Sequence, residues 1–102
     1  MSRPRITIEI QPGEDGGVDE LLVHFNAAGR DLLLSELSRL DESWDHEHID
    51  AITISPDAKL DEVAYRPDSQ LVRRVTFTLR SDEMDAEHFP HVMSDQPVSP
   101  YD

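Results

Sequence analysis

Three histidines and one tryptophan are the residues of this chain whose types and spacing suggest chemistry. His46 and His48 stand two apart in Trp44-Asp45-His46-Glu47-His48. On an extended strand their side chains leave the same face, roughly 7 Å apart from Cα to Cα. Such a pair can share a metal ion, with His24 on a neighbouring strand as a third nitrogen. A zinc site also needs further placed ligands and the groups that orient them, and nothing in the spacing supplies these. The plainer expectation is that both imidazoles hydrogen-bond at the mouth of a strand. A third is a pH-sensitive contact with a partner. Trp44 has two readings, as the cap of a small core or as the anchor of a binding surface. His88 and His91, at i and i+3 among acids, offer weak metal affinity at most.

Catalytic patterns are absent from the chain. No serine stands in a Gly-x-Ser-x-Gly elbow, the strained turn that presents a nucleophile. The glycines of 13–17 follow acids and are not succeeded by a helix opening on Lys-Ser or Lys-Thr, as a phosphate cradle requires. Carboxylates are so frequent that no pair stands out as general acid and base. With no cysteine, neither a thiolate site nor a disulfide framework can form. The expectation is a binding protein that is not an enzyme and holds no cofactor.

The elements that must position these residues follow from periodicity. Arg5–Gln11 places Ile6, Ile8 and Ile10 on one face and Thr7 and Glu9 on the other, the period of a half-buried strand. A Pro-Gly-Glu-Asp-Gly-Gly loop leads to a second alternation, Leu21, Val23 and Phe25, over about 19–26, which predicts an antiparallel hairpin. Leu33, Leu37 and Leu40, widened by Leu34, form a stripe at i, i+4, i+7. That predicts a helix over about 28–42, with Asp31 in its first turn. A strand over 46–55 and a last strand over 70–80 follow. In the latter, Leu71, Val75, Phe77 and Leu79 face in, while Val72, Arg74, Thr76 and Thr78 face out. Residues 56–69 are polar, with Leu60, Val63 and Tyr65 as scattered anchors. The predicted fold class is α+β, ordered β-β-α-β-β: a four-stranded, mostly antiparallel sheet with one helix packed on one face.

The 102 residues suit a single domain with one modest core. We expect it to span 1–81, with 82–102 as an acidic, flexible tail that lacks apolar period. The start alternates rather than running continuously apolar, so neither a signal peptide nor a membrane span is drawn, and a cytoplasmic location is expected. Net charge is −13, unevenly spread. Residues 31–62 hold ten acids against Arg39 and Lys59, whereas 63–80 set Arg66, Arg73, Arg74 and Arg80 against Asp68 alone. An acidic surface repels phosphate, which argues against nucleic acid and anionic membranes as partners. Such charge either keeps the chain soluble or steers in a basic protein.

The run Phe25-Asn26-x-x-Gly29, Leu32-Leu33 and Leu37-x-x-Leu40, followed by His46-x-His48 opening a strand, resembles the immunity protein 32 family over about residues 20–80. Members of that family are small bacterial immunity proteins of polymorphic-toxin systems. The resemblance implies a protein that neutralises a cognate toxin by occluding it. A nuclease-type toxin would present a cationic surface suited to this charge. From charge and expected exposure, the partner-binding residues are Glu36, Asp41, Trp44, Asp45, Glu47 and Asp50. Two alternatives stay open: an adaptor domain that self-associates through an exposed strand edge, and a metal- or ligand-binding module built on His24, His46 and His48.

Overall fold

A computed structural model describes residues 3–51 and 59–93. The two predicted N-terminal strands form as β1 (Ile6–Pro12) and β2 (Val18–Phe25), an antiparallel hairpin in register from Ile6 opposite Phe25 to Gln11 opposite Glu20. Its loop closes through Gly13 and Gly17, whose backbones bond at 2.8 Å, and turns at Gly16 with φ +87°. That backbone conformation is open to glycine and strained for most other residues. β1 is not the half-buried strand that its pattern predicts. Ile6 and Ile8 are buried on one face, and Thr7 and Glu9 are buried on the other.

Helix α1 (Ala27–Ser38) begins where Asn26 caps it. The Asn26 side-chain oxygen accepts the Gly29 N–H at 2.7 Å and the Arg5 N–H at 2.9 Å, and its amide donates to the Arg3 carbonyl. One residue therefore ends the hairpin, satisfies an orphan helix donor and ties α1 to the start of β1. The helix ends at Arg39, short of the predicted 42, and Asp31 lies beyond its first turn. Its inward face also differs from the predicted stripe. Leu32 and Leu33 pack on the core, whereas Leu34 and Leu37 are 59% and 43% exposed.

Among the described residues, the expected single four-stranded sheet is corrected to two short antiparallel sheets. One has the order β2-β1-β4 and the other pairs β3 with β5. β3 is His46–Asp50; the remainder of the predicted 46–55 strand, from residue 52, lies outside the described residues. The single run predicted over 70–80 divides into β4 (Gln70–Leu71) and β5 (Arg74–Thr78). The division falls between two adjacent residues. The Val72 N–H donates to Ile8 in the first sheet, and the Arg73 carbonyl accepts Ala51 N–H beside the second, each at 2.8 Å. Val72, read as outward, accordingly packs on the core, and Leu79, read as inward, is 47% exposed.

A second splice joins the sheets. Lys59 bridges Asp50 in parallel, the Leu60 N–H donates to the Asp50 carbonyl at 2.9 Å, and the Asp61 N–H donates to the Ile6 carbonyl at 2.7 Å. Leu60 is fully buried between them. With Ile6, Ile8, Ile49 and Ala51 it makes the core, against which Leu32, Leu33, Val72, Val75 and Phe77 pack. A fully buried Leu or Ile is worth about 1.5–3 kcal/mol over an exposed one.

Beyond Arg80, where an acidic, flexible tail is expected over 82–102, the chain forms regular secondary structure as far as residue 93. Helix α2 (Asp82–His88), capped by the Ser81 hydroxyl, is followed by a 3₁₀ turn over Pro90–Met93. Arg80 anchors it, pairing with the buried Asp85 and lying 5.1 Å over the Phe89 ring. Residues 94–102 of the predicted tail lie outside the described residues. Among the described residues, no helix is long and apolar enough to cross a membrane.

Candidate functional site

The turn between α1 and β3 is built by one carboxylate. Asp41 accepts the Ser43 N–H, the Ser43 hydroxyl and the Trp44 N–H, all at 2.8–2.9 Å. The Ser43 hydroxyl above all, and then the two N–H groups, hold its carboxyl below the usual aspartate range despite some desolvation. This closed turn swings residues 41–45 towards the end of β5 and the start of α2. Between them lies a cleft of about 840 Å³.

Asp41, Glu42, Asp45, Asp82 and Glu83 line this cleft with carboxylates, and Leu79 and Met84 supply its apolar surface. Met84 is 55% exposed, and its flexible, polarisable side chain can adapt to a partner. Among the described residues, Arg80 is the one cationic side chain that lines the cleft, and it is already engaged by Asp85. Asp45 is held ionised: the His46 ring hydrogen-bonds it at 3.0 Å, with lesser help from Arg80, against some desolvation. The cleft thus keeps a negative field at neutral pH.

The six predicted binding residues separate by environment. Asp41 and Asp45 line the cleft. Trp44 is 53% exposed, stacks parallel to His46 at 6.0 Å, and donates from Nε1 to Glu47 at 2.7 Å. Glu36 and Glu47 are largely covered and both face Arg39, at 3.4 and 3.9 Å. Asp50 holds Arg74 at 2.5 Å across β3 and β5. These last three acids pair with exposed arginines of the same chain and do not line the cleft. Sequence patterning does not mark Glu42, Asp82, Glu83, Leu79 and Met84 as part of this cleft. The acidic run 82–87 is the available signal, but no local pattern tells that α2 returns to the turn at 41–45.

The histidines do not converge. The His46 and His48 rings lie 5.2 Å apart on β3, and His48 Nδ1 bonds the Thr76 hydroxyl at 2.7 Å. His24 stands on β2 in the other sheet, correcting the expectation of a neighbouring strand. There it lies 4.1 Å from the Tyr65 ring and 3.6 Å from the Glu9 carboxylate. Among the described residues, no group of three or more His, Asp or Glu side chains has an arrangement that could hold a metal ion. The chain matches no family model, no curated protein and no solved structure.

Proposed function

We propose that the chain is a small bacterial binding protein that neutralises a toxin by occlusion, with the cleft between residues 41–45 and 79–84 as the face that meets it. The observation that carries this reading is the composition of that cleft: five carboxylates around two exposed apolar side chains, with its arginine neutralised from behind. Such a surface suits a basic protein segment carrying apolar residues, as a nuclease-type toxin would present. Trp44, on the same turn, extends the apolar contact. The rim charges steer association and the apolar side chains prolong the complex. The motif likeness to immunity proteins points the same way. Occlusion requires no catalytic group, cofactor or metal, and the acidic surface disfavours nucleic acid and anionic membranes. The reading takes the chain to work in the cytoplasm.

The test looks for a toxin-like domain in the neighbouring open reading frame and takes that domain as the partner. Co-expression should restore growth, and the purified pair should associate more slowly as salt rises from low to physiological, because screening shortens the reach of the field. Changing Asp45, Asp82 and Glu83 together to Lys should reduce the association rate more than it alters dissociation. Failure to protect, or a rate indifferent to both salt and the reversal, would overturn the proposal.

A further inference from the structure

Among the described residues, β2 is an edge strand with its outer hydrogen-bonding groups turned outward. The Ile6 and Ile8 carbonyls are taken by Asp61 and Val72, away from β2, while the Arg5 carbonyl accepts the Asn26 N–H. Even-numbered residues of β2 therefore bond β1. Leu21, Val23 and Phe25, opposite Ile10, Ile8 and Ile6, direct their N–H and C=O groups to the open side. Their side chains form an apolar stripe that is 59%, 44% and 50% exposed.

Soluble proteins commonly guard such an edge with lysine, proline or a bulge. From Val18 to Phe25 there is neither lysine nor proline, and the pairing with β1 is regular from Glu20 to Phe25. The alternation also continues to the end of the strand. An edge of this length with an apolar face is a template for another strand.

We propose that this edge pairs with β2 of a second copy of the chain, antiparallel about a two-fold axis at Leu22. The register is set by self-complementarity. Centring on Leu22 sets Leu21 against the partner copy's Val23 in a hydrogen-bonded pair, joining the two apolar stripes. On the opposite face it sets Glu20 against the partner copy's His24, twice by symmetry. Glu20 is 53% exposed, and its pair with Arg66 at 3.5 Å is a solvent-exposed one of little strength that a cross-strand partner can replace; His24 faces Glu9 and keeps 31% of its side chain exposed. A chain of charge −13 repels its copies at long range, so attractive cross-strand pairs are what a dimer of this protein needs. The result is a continuous six-stranded sheet, isologous as two-fold interfaces are. The acidic cleft is not involved, so the dimer and the toxin reading stand or fall separately.

The absence of native cysteine makes the register directly testable on the full chain. Light scattering should give twice the 11.6 kDa of one chain. Leu22→Cys should cross-link on mild oxidation, since a non-hydrogen-bonded antiparallel pair lies within disulfide reach. Val23→Cys, whose nearest copy across the axis lies about 7 Å away on the diagonal, should not. Val23→Pro removes an N–H that points outward and none that bonds β1. With the circular dichroism of the wild type retained, it should weaken dimerisation by about tenfold or more, one ladder bond being lost per copy. A monomer at every concentration would overturn the proposal, as would a dimer in which both cysteines cross-link equally or one indifferent to Val23→Pro.

Discussion

The Glu9 carboxylate lies 3.6 Å from Nε2 of His24, and the atoms facing each other are both buried. Glu9 is fully covered because residues 61–66 cross the face of β1 opposite the core, bringing the Tyr65 N–H onto its other oxygen. The pair therefore pins three segments together: β1, β2 and the connection that precedes β4.

This arrangement has a pH signature. Burial opposes the charge on Glu9, but the Tyr65 N–H, with the Ser69 hydroxyl, the Arg66 N–H and His24, outweighs it and holds the carboxyl below its ordinary 4.5. A lowered folded-state value means stabilisation that is fully present above the unfolded glutamate range and lost as pH falls through the folded value. Urea midpoints should hold from neutrality to about pH 5 and fall below the ordinary glutamate range. Glu9→Gln should shrink that acid limb without removing it, because Asp41, Asp45 and Asp61 are lowered too. An unchanged acid limb would show that the Glu9 contacts do not persist in solution.

The core assignments separate leucines that the sequence treats alike. Leu60→Ala should cost about 2–5 kcal/mol, because Leu60 is fully buried where the two sheets meet. Leu37→Ala should cost about 1 kcal/mol or less, since Leu37 is 43% exposed. Equilibrium urea denaturation of both variants decides this. Equal losses would return Leu37 to the core.

Gly29→Ala tests the contact between α1 and β1. Alanine favours a helix over glycine by about 1 kcal/mol. Here, however, its Cβ would strike the Arg5 carbonyl oxygen and crowd Ile6 Cγ1 at 3.1 Å. The clash with backbone should win, giving a net loss of about 1–3 kcal/mol, read as a lower urea midpoint. A gain in stability would place the helix farther from β1.

Asp61 closes the open end of β1 twice, accepting the Ile6 N–H at 2.9 Å on its side chain while its own N–H bonds the Ile6 carbonyl. Asp61→Ala should strand a buried donor and cost about 1–3 kcal/mol. Asp61→Asn, which retains an acceptor oxygen, should recover part of that loss. The comparison of the two melting temperatures separates this hydrogen bond from the ion pair with Arg3, which is 54% exposed and contributes little.

What the sequence by itself determined was local. The alternations at 6–10, 21–25 and 74–78 and the Asn26-x-x-Gly29 start mark strands and a helix, because these patterns depend on neighbours a few residues apart. Charge, likewise, was legible as an acidic 31–62 segment. Tertiary structure alone decided strand partners and coverage. It passed the chain from one sheet to the other at Val72–Arg73, buried Glu9 under Tyr65, and turned Leu21, Val23 and Phe25 towards an open edge. It also brought Asp82 and Glu83 to Asp41 and Asp45. Periodicity marks two faces of an element without stating which will be covered, or by what. That depends on contacts between residues tens of positions apart, whose closure no local pattern encodes.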